Sequence, residues 1–362
     1  MKAAVIVGAR PNFMKAAPLI REFKRRRLIT PLLVHTGQHY DENMSRIFFE
    51  DLELPQPDIY LGVGSGTHAE QTGKIMIAFE EVAIGEHPDL IIVVGDVNST
   101  LACSLVGAKL LIPVAHVEAG LRSFDLTMPE EINRMVTDIL SRYCFTTSPE
   151  AEENLLREGV GKDRIFFVGN IMIDSLLFYL ERAGGSNVLE ELGLDERGYI
   201  LVTLHRPSNV DVEPVFRGIL GTLNELSHTH PVIFPVHPRT RKMIDAADPP
   251  IELSPALRLM EPIGYLDFVR AMQSARLVIT DSGGIQEETT VLGVPCLTVR
   301  HNTERPITIE LGTNILVGTD PRKILDEAQG ALQGDPPEKV VPPLWDGKTA
   351  GRIAGILEAQ AP

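Results

Sequence analysis

The chain has 362 residues, of which 44% are hydrophobic and 23% charged, with a formal net charge of −15. This length exceeds one ordinary hydrophobic core and predicts two domains of a folded globular protein. The acidity excludes nucleic acid and an anionic membrane as partners, so an anionic ligand has to be met by locally clustered cations and helix termini.

Met1-Lys2 leads directly into the short apolar run Ala3–Val7, which is not a signal peptide, and no apolar run approaches membrane-spanning length. A cytoplasmic protein is expected. Cys103, Cys144 and Cys296 are far apart among apolar neighbours and read as buried free thiols.

Short apolar strands at 3–8, 31–35, 90–95, 113–117, 143–147 and 165–168 alternate with amphipathic helices near 13–27, 69–84, 98–110, 129–141 and 149–158. Such alternation means right-handed βαβ units on a parallel sheet. A helix near 172–182 is followed by the polar stretch 184–198, read as the interdomain connection. Strands then recur at 199–204, 231–236, 257–260, 276–280, 295–299 and 314–317, with helices at 212–227, 239–246, 265–274, 285–292 and 321–333. The last helix, 348–359, is expected to pack back on the first domain, giving domains 1–182 (with 348–362) and 183–347. The fold class is α/β: two Rossmann-like, doubly wound parallel-sheet domains facing a central cleft. In such sheets ligands bind beyond the carboxyl ends of the strands.

The chemistry-bearing residues fall at those ends. Gly8-Ala9-Arg10-Pro11 and Lys15 follow the first strand and offer two cations for a phosphate or a sugar. Gly95-Asp96 ends the strand at 90–95, and Asn98 or Ser99 is the better helix cap, which leaves Asp96 free. Glu118 follows the strand at 113–117, and Glu130 lies in Pro129-Glu130-Glu131-Ile132-Asn133-Arg134, where acids at a helix start are also ordinary dipole chemistry. Several neighbouring carboxylates suit acid/base work. In the second half His205-Arg206-Pro207 and Pro235-Val236-His237-Pro238 end the first two strands. Phe268 reads as core or as a base-stacking ring.

Asp281-Ser282-Gly283-Gly284-Ile285-Gln286-Glu287-Glu288 links a strand to a helix and brings backbone N–H groups to the positive end of a helix dipole. Glu288, one turn in, suits ribose hydroxyls, and Arg305 of Thr303-Glu304-Arg305-Pro306 offers a cation to the same place. Together these read as a nucleotide diphosphate site. The glycines around 62–74 fit neither a phosphate loop nor a dinucleotide fingerprint, and no metal-ligand spacing or nucleophile elbow occurs.

Taken in order, these motifs resemble the non-hydrolysing UDP-N-acetylglucosamine 2-epimerases, over essentially the whole chain. The matching segments are 8–15, 95–96, 117–122, 129–134, 205–206, 235–238, 281–288 and 303–306. The resemblance implies an isomerase in the GT-B arrangement, a homodimer, and no NAD or metal. It implies elimination of UDP across C1–C2 of the sugar to a bound 2-acetamidoglucal, followed by re-addition. Asp96, Glu118 and Glu130 are then the acid/base and charge-stabilising carboxylates, with His205 assisting at the diphosphate. Arg10, Lys15, Ser282, Gly283, Gly284 and Arg305 surround the nucleotide, Glu288 holds the ribose and Phe268 the uracil. Closure about residues 182–198 is the expected gate that keeps water out.

Some members are activated by a second UDP-N-acetylglucosamine, and Gln38, His39, Arg206 and His237 match part of that site. The match breaks after His39, at Tyr40–Ser45, and the base-loop position that is often Gln is Ile263 here. Residues 40–45 and 61–66 also look like relatives that epimerise UDP-2,3-diacetamido uronic acids, the nearest alternative. A hydrolysing epimerase, a GT-B glycosyltransferase and a non-enzymatic nucleotide-sugar sensor are the others, and the last two leave the three N-terminal carboxylates unexplained.

Overall fold

The computed structural model describes residues 1–37, 56–236, 238–245, 249–335 and 338–360. The chain divides into two compact units, Met1–Phe178 with Pro343–Pro362, and Tyr179–Pro342. Each carries a wholly parallel sheet flanked by helices, as the α/β alternation predicts.

In the first unit the elements run β1 (Lys2–Val7), α1 (Arg10–Arg26), β2 (Thr30–His35), β3 (Ile59–Tyr60), α2 (His68–Glu86), β4 (Leu90–Val94), α3 (Asn98–Lys109), β5 (Val114–Ala119), α4 (Pro129–Leu140), β6 (Tyr143–Thr146), α5 (Pro149–Arg157), β7 (Ile165–Phe167) and α6 (Ile171–Gly184), which crosses the boundary. The strand order is β3-β2-β1-β4-β5-β6-β7. The second unit continues with α7 (Val188–Leu192), β8 (Ile200–Thr203), α8 (Pro207–Val210), α9 (Glu213–Leu226), β9 (Val232–Pro235), α10 (Pro238–Asp245), β10 (Leu257–Met260), α11 (Tyr265–Ser274), β11 (Leu277–Thr280), α12 (Gly283–Leu292), β12 (Cys296–Thr298), α13 (Ile307–Glu310), β13 (Asn314–Leu316) and α14 (Pro321–Gln333). Its order is β10-β9-β8-β11-β12-β13, and α15 (Thr349–Ala359) belongs to the first unit.

Both orders reverse beside the unit's first strand: β1 lies between β2 and β4, and β8 between β9 and β11. At such a switch point two adjacent crossovers leave in opposite directions and open a crevice at the strands' carboxyl ends. The strands are apolar on both faces because helices cover both. Ile75, Phe79, Ile91, Val93 and Val106 form part of the first core, and Ile200, Phe216, Leu220, Phe234, Leu277 and Ile279 part of the second.

Helix α1 begins at Arg10, three residues before the expected start, because Pro11 suits the first turn and the Asn12 side chain accepts from Gly8 N and Ala9 N. Pro18 within α1 cannot donate to Met14 O, and Ser175 Oγ of α6 donates to that carbonyl instead. The stretch 184–198 is not a free connection. It contains α7, Ser186 Oγ donates to Asp267 at 2.6 Å, and Arg197 N donates to Ser274 O at 2.7 Å, all within the second unit. The chain returns to the first unit at Pro343, where the Trp345 indole is buried and donates to Thr147 O at 2.9 Å. Arg26 then ties α1 to α15 through Glu358 at 2.8 Å and Gly351 O at 3.0 Å.

Candidate active site

In the first unit Asp96 follows β4, Glu118 lies in β5 and Glu130 opens α4, and the three differ in their electrostatic surroundings. Glu118 lies in β5 with φ of +73°, where the pairing with β6 shifts register between Val117 and Ala119. An acidic side chain in the left-handed region is strained, and the surroundings have to hold it there. Its Oε2 meets Lys15 Nζ of α1 in a buried ion pair, while Oε1 is buried with no hydrogen-bond partner among the described residues. Gly95, at φ of +68°, makes room for the pair: a Cβ there would lie 3.0 Å from Lys15 Nζ and 3.7 Å from Glu118 Oε2.

Asp96 follows Gly95. Its Oδ2 lies 2.7 Å from Nη1 of the buried Arg134, whose Nη2 lies 2.9 Å from the buried Glu131. Asn133 Nδ2 donates to Asp96 O at 2.8 Å. Asp96 therefore does not cap α3, and neither Asn98 nor Ser99 does so. The N-cap is Val97, Asn98 bonds Gln71 and Asn133, and Ser99 Oγ lies 2.8 Å from Thr36 Oγ1. Glu130 stands one turn before Arg134 on the same face of α4, half-buried, with no hydrogen bond or ion pair among the described residues. Its neighbour Glu131 is structural, accepting from Ser123 N at 3.0 Å and Phe124 N at 2.9 Å.

In the second unit the β8–β11 switch point brings His205 to Asp281. The Asp281 carboxylate is fully buried and accepts from His205 N, Arg206 N and Asn209 Nδ2, and His205 Nδ1 lies 2.8 Å from Oδ1. Burial alone would raise this carboxyl, but the bonds to His205, Arg206 and Asn209 outweigh it and hold the group below its ordinary value. The His205 side chain is 60% exposed, held at one nitrogen and open at the other.

Ser282, Gly283 and Gly284 open α12, whose first-turn N–H groups have no intrahelical partner, and all three residues are half-buried. Arg305 is not the free cation expected: it is buried and paired with Glu287 (Nε–Oε1 2.6 Å) and with Glu304. Glu304 also takes Arg300 at 2.7 Å. Gly283 is required here because a Cβ would lie 2.5 Å from Arg305 Nη1. Glu288 is buried and accepts from Tyr265 Oη at 3.1 Å, and burial pushes its carboxyl up to about 7. Phe268 is half-buried on the first turn of α11, with Gly264 as N-cap.

Arg10 is the first residue of α1, and Arg206 Nε donates to Asp281 O at 3.0 Å. Gln38, His39 and His237 lie outside the described residues. Among the described residues no cluster of His, Cys, Asp or Glu could hold a metal ion, and no helix is long and apolar enough to cross a membrane. The three cysteines are buried and unpaired. Sequence reasoning missed His116 and Asp138, whose importance lies in tertiary hydrogen bonds, and took Asp281, Glu131 and Arg134 only as parts of motifs.

Comparison with known proteins bears on the family and the fold. The family model for UDP-N-acetylglucosamine 2-epimerase matches residues 21–358. A UDP-N-acetylglucosamine 2-epimerase of Methanocaldococcus jannaschii is 44% identical over 365 residues, covering 99% of both chains. A UDP-2,3-diacetamido-2,3-dideoxy-D-glucuronate 2-epimerase of Pseudomonas aeruginosa is 41% identical over 336 residues, 92% of each chain. The crystal structure of the Methanocaldococcus jannaschii UDP-GlcNAc 2-epimerase in complex with UDP-GlcNAc and UDP matches with a TM-score of 0.90 at 43% identity, over 99% of this chain and 100% of that one. Two parallel-sheet α/β domains of GT-B-like type are thus common to both.

Proposed function

The chain belongs to the UDP-N-acetylglucosamine 2-epimerase family, and from that premise we propose that it interconverts UDP-N-acetylglucosamine and UDP-N-acetylmannosamine by inverting C2 of the sugar. The C2 proton is not next to a carbonyl, so direct deprotonation is too costly. In the reaction proposed, a base takes that proton, the C2–H electron pair becomes the C1=C2 bond, and the C1–O bond breaks with its pair going to UDP. Re-addition protonates the opposite face of C2 while a UDP oxygen rebinds C1.

The observation that carries this reading is the graded pairing of the three acids: Asp96 with Arg134, Glu118 with Lys15, Glu130 with nothing among the described residues. Asp96, held by the buried Arg134 guanidinium at 2.7 Å, is suited to face cationic character at C1. Glu118 and Lys15 can pass a proton between them, and Glu130 is free to move one without breaking an ion pair. His205 on Asp281 and the first turn of α12 suit the departing diphosphate, and Glu288 the ribose.

The test is proton NMR of the protein with UDP-N-acetylglucosamine in D2O. Deuterium at C2 with growth of the manno product supports the reaction, and no exchange removes it. The UDP-2,3-diacetamido uronic acid is the second reading, favoured by the 41% identical relative with that activity in its name. Relative turnover of the two sugar nucleotides decides.

A homodimer is part of the proposal. Ile132, Met135, Val136 and Ile139 make an exposed apolar stripe along α4, beside an open depression of about 670 Å³ lined by Met76, Leu101 and Leu126. Sedimentation of the wild type and of Ile139→Asp tests it. The expected result is a dimer that the aspartate dissociates.

A further inference from the structure

We infer that His116 is a positioning residue that sets both Asp96 and Glu118 without itself touching substrate. It sits in the middle of β5 and is fully buried. Its Nδ1 lies 2.6 Å from Asp138 Oδ1 and its Nε2 lies 2.8 Å from Gly95 O. Gly95 O can only accept, so Nε2 donates to it, and Nδ1 faces the Asp138 carboxylate.

Asp138 holds more than the histidine. Its Oδ2 accepts from Gly120 N at 3.1 Å and lies 2.7 Å from Arg122 Nη2, and Arg122 also bonds Glu158 at 2.6 Å. One carboxylate therefore fastens two turns. Through His116 it reaches the carbonyl of Gly95, the residue before Asp96. Directly, it holds the N–H of Gly120, two residues after Glu118. Gly95, Glu118 and Gly120 all have positive φ, at +68°, +73° and +81°. A left-handed glutamate two residues before a left-handed glycine persists only when surrounding contacts over-determine it. The His116–Asp138 pair supplies those contacts to the ends of β4 and β5 together. The spacing of the two acids is thus set from inside the sheet, by groups with no access to the ligand.

The kinetic part of the test rests on the epimerase reading; the structural part does not. His116→Asn keeps a donor near Nδ1, toward Asp138, and loses the Gly95 contact. His116→Gln places its amide nitrogen near Nε2, keeps a donor to Gly95 O and loses Asp138. With UDP-N-acetylglucosamine as substrate, the Asn enzyme is expected to lose about 100-fold in kcat, the scale of a misplacement of about 1 Å, with KM and UDP affinity within about threefold. The Gln enzyme is expected to recover most of that loss even where its melting temperature is no higher. A folded Asn variant with wild-type kcat overturns the proposal, as do losses that simply follow melting temperature in both variants. A wild-type protein that turns over no UDP-sugar defeats the epimerase reading alone. The crystal structure of His116→Asn then decides, a displaced Gly95–Asp96 turn supporting the proposal and an unmoved turn overturning it. If neither variant folds, the histidine proton–nitrogen NMR spectrum of the wild type decides. A protected Nε2–H signal for His116 supports it, and an Nε2 without a proton overturns it.

Discussion

His205 Nδ1 stands 2.8 Å from Oδ1 of the fully buried Asp281, and the same carboxylate accepts from the backbone N–H of His205. Side chain and main chain of one histidine are held by one acid, which leaves Nε2 as the only ring nitrogen free to meet a ligand. Asp281→Asn would turn an amide toward donors that want an acceptor: His205 N, Arg206 N and Asn209 Nδ2. The expected cost is about 3 kcal/mol in urea unfolding, with kcat down by about tenfold or more. Because the folded carboxyl lies below its unfolded value, its contribution is present above about pH 4 and is lost on acidification. The wild-type advantage over Asp281→Asn should therefore shrink as the pH falls below that point.

Glu288 predicts the opposite pH dependence. Burial raises its folded carboxyl to about 7 from 4.5, so between those values the folded state holds a proton that the unfolded state has lost. Stability falls as pH rises through that window, and the gap corresponds to about 3 kcal/mol of cost for the ionised form at pH 8. Glu288→Gln removes the cost and keeps an oxygen for Tyr265 Oη. The variant should be more stable than wild type at pH 8, equal to it near pH 4, and weaker for UDP. Equal stability at pH 8 would show that the carboxyl titrates normally.

The strands were legible because a strand covered on both faces is an uninterrupted apolar run, such as Leu90–Val94, and the turn after it is where chemistry can be placed. Ile59–Tyr60 was not legible, since two paired residues carry no period. The start of α1 at Arg10 is not legible in the periodicity, because the Asn12 side chain that accepts from Gly8 N and Ala9 N is a local contact that periodicity does not carry. Residue types singled out Asp96, Glu118, His205 and Ser282–Gly284, and the structure puts each at or just after the carboxyl end of a strand. Sequence could not tell which charges are spent on one another. Arg305 looks available as a letter, yet its partners Glu287 and Glu304 come from α12 and from its own loop. His116 and Asp138 are 22 residues apart and meet only because α4 packs on β5. Ion-pair bookkeeping of that kind belongs to tertiary structure, and it separates a binding cation from a structural one.

Arg134 gives a third prediction. Its guanidinium reaches Asp96 with one arm and Glu131 with the other, and lysine has no fork with which to do both. Arg134→Lys should cost about 2 kcal/mol and lower kcat about tenfold, with UDP affinity unchanged because neither Asp96 nor Glu131 is among the groups assigned to the nucleotide. Equilibrium unfolding and isothermal titration with UDP measure the two effects separately. A variant as stable as wild type would mean that the fork is not needed.

The sharpest contrast is between Glu118 and Glu130, two acids of the same proposed reaction with opposite surroundings. Glu118→Gln strands the buried Lys15 ammonium without its anion, so unfolding should become easier by about 3 kcal/mol along with the loss of turnover. Glu130→Gln breaks no bond among the described residues, and its stability should stay within about 0.5 kcal/mol of wild type. If Glu130 moves the proton, kcat still falls by about 100-fold or more, the usual worth of a positioned acid or base. Stability and activity should thus part company at Glu130 and fall together at Glu118. Measured by urea unfolding and by C2 deuterium exchange on the same preparations, a Glu130→Gln enzyme that exchanges at the wild-type rate would take Glu130 out of the proton path. The transfer would then have to run through Glu118 and Lys15, whose shared pair already sits beside Gly95 with one carboxylate oxygen unclaimed among the described residues.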